Sequence, residues 1–150
     1  KLVQKRWIDK VFSLFKQSPW RTPWDGCWDS MNPSEKGARG EQLALNYCKK
    51  ELGFRFITKN WRSRRGEIDL ICLDKGCLVF IEVRLRKETS LVSGVHSISR
   101  RKKSILRRTA LAYLNRLHKR PKTYRLDIIS IAYGPLKNYE ISHYRNVALF

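Results

Sequence analysis

The chain has 150 residues, of which 32 are Lys or Arg and 13 are Asp or Glu, so its formal charge is +19. Such an excess opposes compaction unless an anionic partner offsets it, which favours DNA, RNA or an anionic lipid surface. With 42% apolar residues the chain is too hydrophobic for a disordered basic tail. No apolar run approaches the roughly 18 residues of a membrane span, and the length predicts one core-forming domain.

The first 34 residues differ from the rest in composition. They hold four of the five tryptophans, and their apolar residues repeat at helical spacing until prolines interrupt the pattern. One interpretation is a basic amphipathic helix that binds a membrane surface or a partner. The other is an extension that packs its aromatic residues on a main domain spanning residues 35–150. Lys10 and Lys16 interrupt the stretch that a secretory signal needs, so we expect a cytoplasmic protein.

The four cysteines form no C-x-x-C pair and meet no histidine cluster, which excludes the usual zinc patterns. Cys48, Cys72 and Cys77 lie in apolar patterns, where a reduced thiol behaves as a small hydrophobe. The three histidines have no ligand-like spacing, and we expect them to be structural or exposed.

A first helix is predicted over 36–52, in a main domain that begins near Ser34, a residue suited to the N-cap. At 100° per residue its apolar side chains fall on one arc, and Glu41 falls on the same arc. An inward carboxylate is costly unless a cation or strong donors receive it, so Glu41 is a candidate site residue. The alternative is a glutamate near the helix start that favours the dipole and bends outward to water.

The pattern then predicts three strands, a second helix and two more strands. In chain order these elements cover 54–61, 67–73, 77–85, 99–118, 124–133 and about 139–147. Asp74-Lys75-Gly76 predicts a tight hairpin turn, and Pro121 ends the second helix. The order is therefore α-β-β-β-α-β-β, an α/β fold.

Two acidic residues, Asp69 and Glu82, interrupt strands that otherwise have core composition, and Arg84 shares a face with Glu82. If the hairpin loop has two residues, position 69 faces position 82 and the carboxylates meet. A three-residue loop shifts the register by one, and only a bulge or twist restores the meeting. Two such carboxylates can share a divalent cation for phosphodiester hydrolysis, with Arg84 offsetting developing charge. The competing interpretation is a structural ion pair of Arg84 with Asp69 or Glu82.

Short motifs recur in a fixed order: Gly37-x-x-Gly40-Glu41-x-x-Ala44, Asn60-Trp61-Arg62, Gly66-Glu67-Ile68-Asp69-Leu70, Val79-Phe80-Ile81-Glu82-Val83-Arg84, Arg125-Leu126-Asp127-Ile128-Ile129 and Asn146-x-Ala148. Over about residues 36–149 the chain resembles the YraN-type bacterial family, which is similar to the restriction-endonuclease-like PD-(D/E)xK superfamily that includes Holliday-junction resolvases. The resemblance implies a mixed sheet flanked by helices, a Mg²⁺ (or Mn²⁺) site at Asp69 and Glu82, and Glu41 as the acid from the helix. It implies an endonuclease that cuts structured or branched DNA.

One position departs from the superfamily pattern, which ends in lysine where this chain has Arg84. Arginine keeps the charge but cannot accept a proton. If the lysine acts electrostatically, Arg84 serves the same purpose. If the lysine must deprotonate water, the chain is a non-catalytic nucleic-acid-binding module. Lys102 and Lys103 fall on the apolar arc of the second helix, so either can supply an amine, although snorkelling explains their position equally well.

Positive charge is concentrated between residues 84 and 125, with fourteen Lys and Arg residues and one acid. The predicted nucleic-acid-binding residues lie on the second helix: Arg100, Arg101, Lys102, Lys103, Arg107 and Arg108. Phosphate contacts by such residues position a backbone without reading bases. The alternatives are a merely solvated helix face and, as a third function, a membrane-surface adaptor. The oligomeric state, a homodimer included, stays open.

Overall fold

The structure is a computed structural model that describes residues 28–89, 98–134 and 138–147. A short 3-10 helix, Trp28–Ser30, precedes the elements in the predicted order α-β-β-β-α-β-β, which is confirmed. The helices are α1, Pro33–Lys50, and α2, Arg100–Leu114. The strands are β1, Arg55–Ser63; β2, Gly66–Asp74; β3, Cys77–Lys87; β4, Thr123–Tyr133; and β5, Tyr139–Tyr144.

The five strands form one mixed sheet in the order β1-β2-β3-β4-β5. Only β3 and β4 run parallel among these neighbours of the described chain, and the other three pairs are antiparallel. A parallel pair needs a crossover, which the segment containing α2 provides. The fold is therefore α/β, as predicted.

The helices cover opposite faces of the sheet, because successive side chains of a strand point to opposite faces. On one face, α1 packs Ala44 and Cys48 against a core that includes Leu70. On the other face, α2 packs Leu106 and Ala110 against a core that includes Phe80. The central strands are thus buried on both sides, and any polar side chain within them must find partners.

The first helix begins earlier than predicted. Its N-cap is Asn32 rather than Ser34: the Asn32 side chain accepts a hydrogen bond from the N–H of Glu35, and the Glu35 carboxylate accepts one from the N–H of Asn32, both at 2.9 Å. Pro33 occupies the first turn, where its missing N–H costs no hydrogen bond. The proline that suggested a break before the helix therefore starts it.

Both helices end earlier than predicted. α1 ends at Lys50, and Gly53 follows with a left-handed φ of 66°. α2 ends at Leu114 rather than residue 118, with Asn115 as its C-cap. The N–H of Arg116 bonds three residues back at 3.0 Å, the tighter geometry of a 3-10 turn, so the helix is lost well before Pro121.

The last strand ends at Tyr144 rather than residue 147. Asn146 has a left-handed φ of 52°, and its N–H donates to the Asp127 side chain at 2.8 Å instead of continuing the strand pairing. The sequence pattern that predicted a strand continues to about residue 147. The strand nevertheless ends at Tyr144, because the Asp127 side chain takes the N–H of Asn146. The other four strands match the predicted bounds to within two residues.

Residues 1–27, and with them the predicted amphipathic helix, lie outside the described residues. Trp28 is fully buried, its ring stacks on Tyr133 at 5.0 Å, and the Arg39 guanidinium lies 4.2 Å from the Trp28 ring. This aromatic residue does pack on the main domain. Packing of the earlier tryptophans on the main domain stays a prediction.

The described thiols are reduced, as expected: Cys48 and Cys72 are buried, and Cys77 is half-buried. Cys27 and His96 lie outside the described residues. Within residues 28–89, 98–134 and 138–147, no helix is long and apolar enough to cross a membrane.

Candidate active site

The β2–β3 hairpin brings Asp69 and Glu82 together. Its loop has two residues, Lys75-Gly76, with left-handed φ values of 47° and 90°. The pairing runs without a shift to Leu70 opposite Ile81. By this register position 69 faces position 82, which is the outcome predicted for the shorter of the two loops.

Asp69 lies where the regular pairing of β2 with β3 ends, a position we call the sheet break. There the N–H of Val83 donates to Asp69 Oδ2 at 2.7 Å, so a side-chain oxygen takes the place of a backbone carbonyl. The register of β1 with β2 sets Asn60 opposite Asp69, and Asn60 has a left-handed φ of 52° within that strand. Regular pairing of the sheet is therefore interrupted at this point, in addition to the register shift between Phe56 and Thr58 of β1.

Glu82 is only 2% exposed and faces α2. Its Oε1 atom contacts Lys102 Nζ at 3.0 Å and Arg84 Nη1 at 3.7 Å. Its Oε2 atom is buried and has no hydrogen-bond partner among the described residues. A buried acceptor without a partner costs free energy, so this oxygen is available to a ligand that the protein chain itself does not supply.

The environment raises the pKa of both acids. Burial is the main cause of the raised pKa of Asp69. The negative charges of Glu82 and Glu41 also raise this pKa, whereas the hydrogen bond from Val83 lowers it. The resulting pKa of Asp69 is about 7. Burial also raises the pKa of Glu82, against the opposing effect of Lys102. Burial and neighbouring negative charge thus favour the protonated form of Asp69 near neutral pH, and a cation bound beside it would favour the charged form.

Glu41 approaches the sheet break from the face opposite α2. It is half-buried on α1, and its charge reaches Asp69. The preceding residue, Gly40, is buried so closely that a Cβ atom there would lie 3.6 Å from the Leu85 side chain on β3. This contact packs α1 against β3 at the residue that precedes Glu41. Half-burial leaves its carboxylate open to water on one side.

The two candidate lysines of α2 have different surroundings. Lys102 pairs with Glu82, whereas Lys103 forms no ion pair with any described residue. Both side chains are half-buried, so position on the apolar arc alone does not separate them. Of the structural ion pairs considered for Arg84, the one with Glu82 is present at 3.7 Å, and the one with Asp69 does not occur among the described residues.

The remaining predicted nucleic-acid-binding residues project from α2 into solvent. Their side chains are exposed along the outer face of the helix: Arg100, Arg101, Arg107 and Arg108. Lys102 is thus the member of this set that turns inward to the acid pair. The basic helix and the acidic sheet break are adjacent, because one residue of the helix contacts Glu82 directly.

A second buried acid was not singled out from the sequence. Asp127 on β4 is fully buried and accepts hydrogen bonds from Arg125 and His143, each at 2.9 Å, and from the N–H of Asn146. Arg125 also pairs with Asp74 at 2.9 Å. Burial raises the pKa of Asp127, but these hydrogen bonds outweigh it and hold the pKa below its ordinary value. His143 is therefore structural, as expected.

We call Asp127 and its partners the Asp127 cluster. Its members come from β4, the end of β2 and the β5 region. These segments are far apart in sequence, so no local spacing predicts that their side chains meet. The available signal was the motif Arg125-Leu126-Asp127, with an acid and a base on one face of a strand. The basic turn Arg64-Arg65, between β1 and β2, was likewise not singled out from the sequence.

The described residues bring no three His, Cys, Asp or Glu side chains together as a complete metal-binding group. Mg²⁺ does not need one, since it commonly takes one or two carboxylates and completes its shell with water and substrate phosphate oxygens. Asp69 and Glu82 fit this requirement, and the unpartnered Oε2 of Glu82 is the atom that supports the fit.

Helices on both faces of a mixed five-stranded sheet, with two acids at a break in its centre, make an α/β protein consistent with a restriction-endonuclease-like core. The chain belongs to the uncharacterised protein family UPF0102, whose family model matches residues 40–131. This is the YraN-type family that the motifs resemble, so that prediction is confirmed. The matched range contains Glu41, Asp69, Glu82 and Lys102.

Three bacterial proteins of the family illustrate the similarity. The UPF0102 protein of Carboxydothermus hydrogenoformans is 34% identical over 123 residues, covering 80% of this chain and 100% of that protein. The relative in Mycolicibacterium vanbaalenii is 35% identical over 115 residues, covering 77% and 94%. The relative in Chlorobaculum parvum is 37% identical over 116 residues, covering 74% and 89%.

Proposed function

We propose that the protein is a Mg²⁺- or Mn²⁺-dependent endonuclease that hydrolyses phosphodiester bonds in structured or branched DNA. The observation that carries this proposal is the state of Glu82. Its side chain is buried opposite a second acid, one oxygen contacts a lysine, and the other oxygen lacks a described partner. Asp69 and Glu82 are the residues that would hold a divalent cation, whose charge would offset the repulsion between the two acids and satisfy the unpartnered oxygen.

In this proposal Asp69 and Glu82 would hold the divalent cation, which would supply Lewis-acid chemistry for phosphodiester hydrolysis. Val83 keeps Asp69 in place through its N–H. Lys102 and Arg84 contact Oε1 of Glu82 and would bring two positive charges close to the phosphate, where negative charge develops. Glu41, half open to water, is positioned to orient a water molecule from the other face.

The charge of the chain supports a nucleic acid as the substrate. The net charge is +19, and four exposed arginines line the outer face of the helix that supplies Lys102. Such a helix attracts a phosphate backbone and holds it by contacts that release counterions. The same helix therefore binds the backbone on its outer face and completes the acid site on its inner face.

The proposal is tested by cleavage of a labelled four-way DNA junction and a linear duplex of the same strands. We expect cleavage with Mg²⁺ or Mn²⁺, none with EDTA, and losses of at least about 100-fold in Asp69→Asn and Glu82→Gln, because each removes a metal ligand. Glu140→Gln, which removes an exposed carboxylate of β5, is the control and keeps full activity. Cleavage that survives both substitutions at the acid pair contradicts the site.

Metal binding provides a readout that does not depend on cleavage. A cation that binds only the folded protein raises its stability by about 1.4 kcal/mol at roughly ten times the dissociation constant. We expect Mg²⁺ or Mn²⁺ to raise the thermal midpoint of the wild type and not that of Glu82→Gln. An equal rise in both proteins places the metal elsewhere.

A non-catalytic nucleic-acid-binding module is the second candidate function. One observation favours it: Lys102 and Arg84 already supply positive charge to Glu82, so part of the pair is neutralised without a metal. This function predicts that the junction is bound equally well with Mg²⁺ and with EDTA and is never cut. The same junction assay therefore separates the two candidates.

A further inference from the structure

We infer that the turn between β1 and β2 and the outer face of α2 form one binding site for the phosphate backbone of a DNA duplex arm. The residues that carry it are Arg64 and Arg65 of the turn and Arg101 and Arg108 of the helix; we call them the arginine quartet. The inference rests on the proposed function, because it assigns a substrate contact beside the same acid pair.

The turn is short and well defined. Ser63 pairs with Gly66 across the hairpin, which leaves Arg64 and Arg65 as a two-residue loop. The N–H of Arg65 donates to the Ser63 hydroxyl at 3.1 Å, a local hydrogen bond that stabilises this turn. Both arginine side chains are exposed. Two exposed arginines thus follow each other in the turn at one end of the β1–β2 hairpin.

Gly66 brings this turn into direct contact with α2. A Cβ atom at Gly66 would lie 2.5 Å from Ile105 Cγ2 and 3.0 Å from Thr109 Oγ1. These distances are too short for any side chain at position 66 unless the turn or the helix moves. The Thr109 hydroxyl donates to the Ile105 carbonyl at 2.8 Å and is fully buried, so it is held in place. Glycine is what allows the turn to lie against the helix.

Helix geometry then places the remaining two arginines beside the turn. Arg101 precedes Ile105 by four residues and Arg108 follows it by three, and residues at these spacings are neighbours on a helix surface. Both are exposed. The residues of α2 that touch the turn are therefore flanked by the arginines that continue the basic surface.

The arginine quartet has no acidic counterpart within the described chain. None of its four members forms an ion pair with a described carboxylate. The nearby Glu67 pairs with Arg62 instead, at 2.8 Å. Like charges on touching elements repel each other, and a polyanion laid across both elements relieves that repulsion.

The position of the quartet relative to the acid pair indicates what it binds. Gly66 and Asp69 are three residues apart on β2, roughly 10 Å at about 3.4 Å per residue, and Lys102 on Glu82 is the chain neighbour of Arg101. Duplex DNA places one phosphate per strand every 3.4 Å or so along its axis, so this distance spans about three base-pair steps. A duplex arm of a branched substrate fits this spacing.

The test uses two double variants that each remove two positive charges. Arg64→Gln/Arg65→Gln removes them from the quartet. The matched control, Arg55→Gln/Lys75→Gln, removes exposed charges from the opposite end of the same hairpins. Binding of a labelled duplex is measured by fluorescence anisotropy in EDTA, over a series of salt concentrations.

We expect the turn variant to lower the slope of log binding constant against log salt by about 1.8, since each phosphate contact contributes about 0.9. The wild type then loses about twelvefold more affinity than this variant between 50 and 200 mM salt. The control keeps the wild-type slope. Equal slopes in the two double variants overturn the inference, because they mean that only total charge matters.

Gly66→Ala tests the contact between turn and helix with every charge kept. We expect a reduced slope, because the added methyl pushes the turn away from Ile105. If this variant fails to fold by circular dichroism, the comparison of the two double variants still decides. If the wild type cleaves the junction with metal but the two double variants have equal salt slopes, the arginine quartet is contradicted and the nuclease proposal stands. A difference in slope without any cleavage supports it and contradicts the nuclease proposal.

Discussion

Two groups of carboxylates lie within the same sheet, and their surroundings differ. In the Asp127 cluster, a fully buried acid is matched by an arginine, a histidine and a backbone N–H, and its pKa is lowered. At the Asp69–Glu82 pair, two acids face each other, one oxygen has no described partner, and both pKa values are raised. The protein stabilises charge in the first group and leaves it incompletely stabilised in the second.

The difference distinguishes a structural arrangement from a candidate site. A completely paired buried ion group holds elements together and gains nothing from a further ligand. A partly paired group costs stability and gains from a cation, which is the usual condition of acids that bind metal or move protons. Each prediction below changes one of the two groups and asks whether they respond as differently as their contacts indicate.

The largest expected effect is on stability, at Asp127. Asp127→Ala leaves the buried Arg125 with one partner fewer, so we expect a loss of about 3–5 kcal/mol in the free energy of unfolding, measured with urea. Glu82→Gln removes a charge that burial disfavours, and Lys102 keeps access to water, so its loss stays under about 1 kcal/mol. Equal losses at the two sites remove the distinction between them.

The next effect concerns Lys102 and Lys103, two adjacent lysines of which one contacts the acid pair. We expect Lys102→Met to reduce junction cleavage by about 10- to 100-fold, the range seen when a group that supports a metal ligand is removed. Lys103→Met loses a similar charge without that contact and serves as the matched control. A similar loss in both variants assigns the effect to general attraction of DNA instead.

The pH dependence of stability is expected to have opposite signs in the two groups. The pKa of Asp69 is about 7 in the folded protein, above that of the unfolded chain, so between these values the folded state binds more protons. The contribution of Asp69 therefore falls as pH rises towards 7, by at most about 1.4 kcal/mol per pH unit. The lowered pKa of Asp127 makes its contribution present at neutral pH and lost as pH falls through that value.

Urea unfolding in EDTA at pH 5, 6, 7 and 8 measures this dependence. Asp69→Asn has no carboxylate to titrate at this position, so we expect it to become more stable relative to the wild type as pH rises. A difference between the two proteins that does not change with pH shows that Asp69 does not hold its proton in the folded state. Added Mg²⁺ reduces the difference, because the cation takes the place of the proton.

The smallest expected effect is that of Arg84→Lys. Both side chains carry a positive charge that reaches Glu82, and lysine adds an amine that can give up a proton. We expect junction cleavage to be unchanged or somewhat higher. A large loss means instead that Arg84 binds the phosphate through its planar guanidinium group.

Much of the fold could be predicted because its signals are local. The order of elements, the two apolar helix faces and the tight β2–β3 turn follow from periodicity and from residues such as Gly76, which favour a left-handed turn. The ends of elements were predicted less well, because a cap such as Asn32 or a diverted backbone such as that at Asn146 depends on individual hydrogen bonds.

The candidate site was predicted only in part. Asp69 and Glu82 were identified because acids are rare in strands of core composition, and the loop length was the one missing fact that set their register. The sequence could not separate Lys102 from Lys103, since both lie on the same arc of α2 and only the packing of that helix brings one to Glu82. Nor could it predict the contact of the 63–66 turn with α2.

By itself, the sequence determined the α/β class, the strand and helix order, the excess of positive charge and the two acids that interrupt the central hairpin. These properties depend on composition and on spacing along the chain. Only the tertiary structure decided which charges meet: Asp127 received three partners, whereas Glu82 kept an oxygen without one among the described residues. The reason is that the cost of a buried charge depends on groups from distant segments, which sequence spacing does not bring together.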